Sequence, residues 1–425
     1  MNKYRLTESQ FGMYLYNQFF KVPAQINPCG SVIIDEVLDF AKLKEAINTY
    51  VEKNEGTRIR ICNTLLGPRQ YIEEYKPLNI KTIEINDESD IKKIENRYSN
   101  YRFKLTKEKL FKVELFKLKD GRGGLVGCFN HIISDGWSME IALRDIIKLY
   151  KGEIKEYNPG SYIKHLESEQ EYLLSNRCKK DKEFWIEETK KLSHPKAGYI
   201  PYDKHELNNR SMTHIYKIDK KLINKIREYC KGNKVTEYSF FTAIFNLYVS
   251  KVSKCNEFII QMISSNRKNQ EEKNTFGPFF DGSYYPAKIN NMNIIDYIKE
   301  VNGNLFKYHL HSKCPVSFVS KLLKKKGIKG FVASRIYFSY MVMKSKDDKY
   351  KKKCKINWAP MKGTYLFDIL INIHDIENTG NLFVVINFLS NRYKKETIDN
   401  ICFGMEKIIN QTLKDDKVDI GSIEV

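Results

Sequence analysis

The stretch at 125–150, LVGCFNHIISDGWSMEIALRDIIKLY, constrains the fold more than any other. Its first six residues are a short apolar run, the pattern of a buried strand. The run breaks at His131, and Asp135 and Gly136 follow. Beyond them Met139, Leu143, Ile146 and Tyr150 recur at helical spacing, so Ser138 is expected to cap a helix that reaches about Lys148. A lone histidine therefore stands where a buried strand ends and just before a helix begins. Such a junction holds a polar group rigidly. Spacing alone leaves a core histidine and a turn Asp-Gly as an equal alternative.

Of the 425 residues, 42% are hydrophobic and 13% aromatic, enough for a sizeable core and against a disordered chain. The length suits one large domain or two to three ordinary ones. The longest apolar runs are too short and too polar to span a bilayer. The opening MNKYRLTESQ lacks the apolar stretch of a secretory leader. The expectation is a cytoplasmic protein. The nine cysteines are scattered and odd in number, with no C-x-x-C and no metal-ligand spacing to a histidine. They read as reduced thiols, and no metal is expected. A Cys128–His131 nucleophile pair is the weaker reading, because an apolar strand interior more often buries its cysteine as an inert residue. The net charge of +20 favours acidic partners: phosphates, acidic carrier proteins or nucleic acid. No zinc-finger spacing, RNP-like motif or basic heptad helix is present, so nucleic-acid binding is not expected. The lysine-rich run at 344–355 reads as a solvated loop.

Along the chain the patterns alternate without the regular period of a repeating strand–helix–strand unit. A helix capped by Thr7 is expected over 4–20, with Gln10 three residues into it. Strands are expected at 30–34, 57–62, 70–74 and 111–118, and helices at 39–53 and 87–100. The strictly alternating 111–118 and the Gly-rich turn at 120–124 make a hairpin with the strand at 125–130. A long polar helical stretch runs over 161–192. The second half carries strands at 213–218, 258–263, 335–341, 366–373 and 382–388. Its helices are expected at 220–230, 236–253, 294–310 and 395–413. The 266–286 stretch reads as a long loop, and long ordered loops tend to be functional. The expectation is an α/β (α+β) chain of two sandwich-like lobes with mixed sheets.

At this point a family resemblance emerges. NHIISDGWSMEIALRDI is similar to the H-H-x-x-x-D-G signature of the condensation domains of nonribosomal peptide synthetases, relatives of chloramphenicol acetyltransferase. Further motifs follow in family order. LTESQFGMYL resembles the opening T-x-x-Q motif. LDFAKLKEAINTYVEKNEGTRIRI resembles the first helix and its L-R-T-type strand. EQEYLLSN with KEFW, FIIQMISSNRKNQ, NTFGPFFDG, and FDILINIHD with NLFVVINFLS resemble the later ones.

The resemblance implies two chloramphenicol acetyltransferase-like lobes in a V with a tunnel between them. The corresponding boundaries are an N-terminal lobe at 1–160, an inter-lobe helical segment at 161–192 and a C-terminal lobe at 193–425. It implies that donor and acceptor thioesters meet at the second histidine of the signature, here His131, as the catalytic residue. Asp135 is then a structural residue with Arg267 as its partner, and Gly136 leaves room for a pantetheine arm. Trp137, Ser138, Gly277 and Phe279 are the expected tunnel residues. The first histidine of the signature is Asn130 here, which can also donate and accept hydrogen bonds. The asparagine of the late loop motif falls at Phe280 or Asp281. His374, at the end of a hairpin strand, reads as a structural histidine.

A chain of this length leaves no room for a carrier or adenylation domain beside such a fold. A freestanding condensation-type acyltransferase is expected, joining a carrier-bound acyl or aminoacyl thioester to an amine or hydroxyl in natural-product biosynthesis. No intrinsic cofactor is expected. Substrates ride on phosphopantetheine or coenzyme A, partners are acidic acyl or peptidyl carrier proteins, and the acceptor is a small molecule. The alternatives are an acyl-CoA-dependent N- or O-acyltransferase and a non-catalytic carrier-binding platform of the same fold.

Overall fold

The computed structural model describes residues 2–19, 27–203, 211–328, 334–341, 353–359, 367–374 and 381–425. In chain order the first elements are β1 (Tyr4–Arg5), α1 (Glu8–Phe19), β2 (Cys29–Ile34), α2 (Phe40–Lys53), β3 (Ile59–Thr64), β4 (Gly67–Ile72), β5 (Thr82–Glu84), α3 (Ser89–Ser99), β6 (Phe111–Lys117), β7 (Gly123–Phe129), α4 (Gly136–Lys151) and α5 (Tyr162–Leu174). There follow α6 (Asn176–Lys190), β8 (Lys196–Ala197), β9 (Ser211–Lys217), α7 (Lys220–Gly232), α8 (Glu237–Ser253), β10 (Glu257–Ser264) and α9 (Gln270–Lys273). The last are β11 (Asp281–Lys288), α10 (Ile294–Leu310), α11 (Val316–Lys325), β12 (Ile336–Met341), β13 (Cys354–Trp358), β14 (Ile369–His374), β15 (Phe383–Leu389) and α12 (Lys395–Lys414).

The chain divides into two compact units. The first comprises Met1–Leu173, Ser265–Asp281 and Ser345–Thr364; the second comprises Leu174–Ser264, Gly282–Lys344 and Tyr365–Val425. Contiguous boundaries at 160 and 192 are therefore replaced by discontinuous ones. The physical reason is that two later segments find their partners in the first unit. Strand β13 pairs antiparallel with β2, and Asn357 Nδ2 donates to both carboxylate oxygens of the buried Glu95 at 2.7 and 2.8 Å. The segment 265–281 is held by Arg267, as described below.

In the first unit a five-stranded sheet runs β13-β2-β7-β6-β5, antiparallel except for the β5–β6 pair. Every residue of β7 is buried, as its unbroken apolar run requires. Leu43, Ile47 and Tyr50 of α2 pack with Leu143, Ile146 and Ile147 of α4 in one core with Val126 and Cys128 of β7. A small antiparallel sheet, β1-β4-β3, lies beside it in sequence.

The second unit is built on a mixed sheet in the order β11-β10-β12-β14-β15-β9. Strands β10, β12 and β14 are parallel, β15 and β9 are antiparallel additions, and β8 pairs with β10. Helix α8 is buried continuously from Ser239 to Ser250, which is why its sequence is apolar on all sides. Its core includes Phe338, Ile371 and Ile386 from the sheet and Ile298 and Met405 from α10 and α12.

Local departures from the sequence reading have local causes. Ser175 breaks the expected 161–192 helix in two, because its hydroxyl accepts the Cys178 N–H at 3.2 Å and starts a new helix. The strand expected from Thr57 begins only at Ile59, after a 3₁₀ turn at Glu55–Arg58. The long loop at 266–286 contains α9 and the start of β11. Helix α11 has no counterpart in the sequence reading, and β13 takes up the end of the run read as a solvated loop. Most of that run, 344–352, lies outside the described residues.

Candidate functional site

Strand β7 ends at Phe129, and Asn130 turns the chain. Its backbone N–H donates to Leu110 O at 2.7 Å. Its side chain accepts the Ile132 N–H at 3.1 Å and donates to Asn27 Oδ1 at 3.1 Å. Asn27 in turn donates to Tyr101 O at 2.6 Å. An amide thus serves as a buried brace at the position of the signature's first histidine.

The loop from His131 to Ser134 is pinned from a second side. Gln10, fully buried on α1, donates from one amide nitrogen to Ile132 O at 3.0 Å and to Gln70 Oε1 at 2.9 Å. Gln70 returns a hydrogen bond to Gln10 Oε1 at 2.7 Å. The candidate site residues drawn from the sequence omit Gln10, although it stands in the opening motif. Its signal there is its position three residues after Thr7, and the structure shows the Thr7 N–H donating to its side chain at 3.0 Å.

His131 Nδ1 lies 2.7 Å from Ser134 O. A carbonyl only accepts, so Nδ1 carries the proton and the lone pair of the neutral ring is at Nε2. The ring rests against Phe280, with centroids 4.5 Å apart at 50°. His131 keeps a partly exposed edge, yet protein atoms crowd it. This desolvation lowers its pKa below the ordinary 6.5, and the Ser134 carbonyl and Asp135 oppose the shift. The result is an imidazole that is neutral near pH 7, oriented, and basic at Nε2.

Asp135, rather than Ser138, is the N-cap of α4; its backbone is extended and its carboxylate accepts the Ser138 N–H at 2.7 Å. The same carboxylate receives Arg267 Nη2 at 3.1 and 3.2 Å and the Phe279 N–H at 3.0 Å. Arg267 has no exposed side-chain surface. Its Nη2 also donates to Ser138 Oγ and Gly277 O, both at 3.0 Å. Its Nη1 donates to Thr275 O at 2.6 Å and to Glu272 O. The guanidinium lies 4.1 Å over the Phe279 ring. One arginine thereby ties three carbonyls of the 272–277 turn to the cap of α4.

The four expected tunnel residues belong to this bracket. Ser138 is buried, and its hydroxyl lies 2.7 Å from both Asp135 Oδ1 and Gly277 O. Phe279 is buried against Arg267, Tyr162 and His165. At Gly277 a Cβ would stand 2.3 Å from the Tyr162 ring, so the position is closed to side chains. Trp137 is partly exposed, and its indole N–H donates to Lys273 O at 3.0 Å, bracing the same turn. Gly136 is exposed at the first turn of α4. Cys128 is not a partner for His131: it is fully buried, and a hydrogen bond with Cys29 and desolvation raise its thiol pKa well above the usual value. His374 ends β14 in the second unit, where it pairs in register with Phe383. Among the described residues no cluster of three metal-ligating side chains occurs, and no helix is long and apolar enough to cross a membrane.

The Condensation domain model matches residues 1–425. Surfactin synthase subunit 1 of Bacillus subtilis (strain 168) is 25% identical over 426 residues, covering 96% of this chain and 12% of that protein. The chain thus spans about an eighth of the length of that relative. The X-domain from teicoplanin biosynthesis superposes with a TM-score of 0.84 at 14% identity, covering 100% of this chain and 98% of that one. The starter condensation domain of rhizomide synthetase, as a variant in complex with C8-CoA, gives 0.80 at 14% identity over 100% and 98%. The mixed helix-and-sheet fold described above is the fold of these domains.

Proposed function

The chain belongs to the condensation-domain family, and from that premise we propose that it transfers an acyl or aminoacyl group from a carrier-bound thioester to an amine or hydroxyl acceptor. The observation that carries this reading is His131: an imidazole kept neutral by burial and fixed in one tautomer by Ser134 O, which puts its lone pair at Nε2. In the proposed step the acceptor nitrogen or oxygen attacks the thioester carbonyl. The new C–N or C–O bond forms and the C–S bond breaks. His131 Nε2 holds the acceptor and takes its proton, then returns it to the departing thiolate. No acyl-enzyme is needed. The Asp135–Arg267 bracket, with Asn130 and Gln10, serves to hold the His131 loop in place.

Phosphopantetheine carries the substrates in this reading, and the carrier is an acidic protein steered by the +20 chain. Coenzyme A is the alternative donor, and the C8-CoA complex of the rhizomide domain favours that variant. The X-domain's complex with OxyB favours a second reading, a module that recruits a protein partner without turnover. Acyl-loaded carrier protein and the matching acyl-CoA are incubated separately with protein and an amine acceptor, and mass spectrometry follows the acyl group. Carrier-dependent product supports the proposal and CoA-dependent product the variant. Tight carrier binding with no transfer supports recruitment.

A further inference from the structure

The hydrogen bond from His131 Nδ1 to Ser134 O, at 2.7 Å, holds one edge of the imidazole. A bond at one edge leaves the ring able to swing about it, because the χ2 torsion of histidine is broad. A second contact is needed to fix the plane. Phe280 supplies it: the two ring centroids lie 4.5 Å apart and the planes meet at 50°. That separation sits at the close end of the range in which aromatic rings pack favourably. Both residues are half-buried, so the contact takes place at the margin of the protein rather than deep in its core.

The chain just before Phe280 is tightly held. Phe279 is 2% exposed, and its N–H donates to Asp135 Oδ2 at 3.0 Å and to Gly277 O at 3.1 Å. Its ring centroid lies 4.1 Å from the Arg267 guanidinium and 4.1 Å from the centroid of the His165 ring. A residue joined to so fixed a neighbour has little room to wander. Arg267 therefore reaches His131 by two routes. One runs through Asp135, which follows the 131–134 loop, and the other through Phe279 to the ring of Phe280. The electrostatics agree. Crowding by protein atoms lowers the His131 pKa, against the Ser134 carbonyl and the charge of Asp135, and Phe280 contributes bulk without charge.

We propose that Phe280 is a positioning residue for acyl transfer: its ring sets the plane of the His131 imidazole and so the direction of the Nε2 lone pair. This rests on the reading of His131 given above. The bracket around Arg267 then serves the chemistry as well as the fold, because it holds Phe280 against the histidine.

Phe280→Ala, Phe280→Tyr, His131→Ala and the double variant His131→Ala/Phe280→Ala are compared with a carrier-bound donor and an amine acceptor, with circular dichroism to show that each folds. Phe280→Ala should lower kcat about ten- to a hundredfold with little change in the acceptor's KM, the cost of a reacting group misplaced by about 1 Å. Phe280→Tyr keeps the ring and should stay within about threefold of wild type. Phe280 acts through His131, so the double variant should be no slower than His131→Ala alone, whereas a merely structural role multiplies the two losses. NMR titration of His131 needs no substrate, and so separates failure of this inference from failure of the acyl-transfer reading. The His131 pKa should rise towards 6.5 in Phe280→Ala and keep its wild-type value in Phe280→Tyr. Equal losses in the Ala and Tyr variants, multiplied losses in the double variant, or an unmoved His131 pKa in Phe280→Ala overturns the proposal.

Discussion

Arg267→Met removes the guanidinium from a site where it has no exposed surface and leaves an uncharged chain about as long as the arginine's aliphatic stem. Six acceptors then change state: the two Asp135 oxygens, Ser138 Oγ, and the carbonyls of Glu272, Thr275 and Gly277. Removing one partner of a buried ion pair costs about 3–5 kcal/mol. Asp135 keeps the Ser138 N–H, the Ser138 hydroxyl and the Phe279 N–H, which lowers the penalty on the carboxylate. Loss of the guanidinium stack on Phe279 adds about 0.5–1 kcal/mol. The lower part of the range, about 3 kcal/mol, is expected. For a unit of this size that corresponds to a melting temperature lower by roughly 6–12 °C. Calorimetric or circular-dichroism melting of wild type, Arg267→Met, Asp135→Asn and the double variant reads it directly. The cycle should show coupling of about 1 kcal/mol or more between the two positions. A single-variant loss under about 1 kcal/mol, or strictly additive effects, refutes the view that this pair brackets α4 to the 272–277 turn.

Asn130→Ala leaves the Ile132 N–H and Asn27 Oδ1 unpaired, and denaturant titration should show a loss of about 1–3 kcal/mol. Gly277→Ala drives a methyl to within 2.3 Å of the Tyr162 ring, so melting should fall for this variant and recover partly in Gly277→Ala/Tyr162→Ala. The folded-state pKa of His131 lies below the unfolded 6.5, so the unfolded chain binds the proton more readily. Its contribution to stability is therefore complete above pH 6.5 and declines as pH falls from 6.5 towards the lower folded value. Turnover should be flat near neutrality and drop on that same acid limb, and a limb centred above 6.5 contradicts the burial argument.

The strand–histidine–helix junction was legible because both flanking elements announce themselves: β7 as an unbroken apolar run and α4 by its helical spacing. The spacing places the cap three residues too late, since Asp135 and Ser138 are both good caps and the Arg267 pairing that selects Asp135 lies 132 residues away. Position in the motif order put Arg267 beside Asp135, and the geometry adds the turn carbonyls it also gathers. The four tunnel residues follow from the family resemblance, and the geometry adds that Ser138, Gly277 and Phe279 meet at the Arg267 bracket. Gln10 announced itself only as a capping residue. Its contact with Ile132 O depends on a pairing with Gln70 that periodicity does not encode. The discontinuous units were hidden for a similar reason: β13 is five residues long, follows a run of lysines, and is defined by β2 and Glu95 far upstream.

The central claim is that His131 Nε2 serves the acceptor during acyl transfer. His131→Ala, tested in single turnover with a loaded carrier protein and an amine acceptor, measures it most directly. Removal of a base or acceptor-holding imidazole predicts a rate lower by about 10²–10⁴, with folding and carrier binding unchanged. A loss of less than about tenfold, with product still formed, contradicts the account.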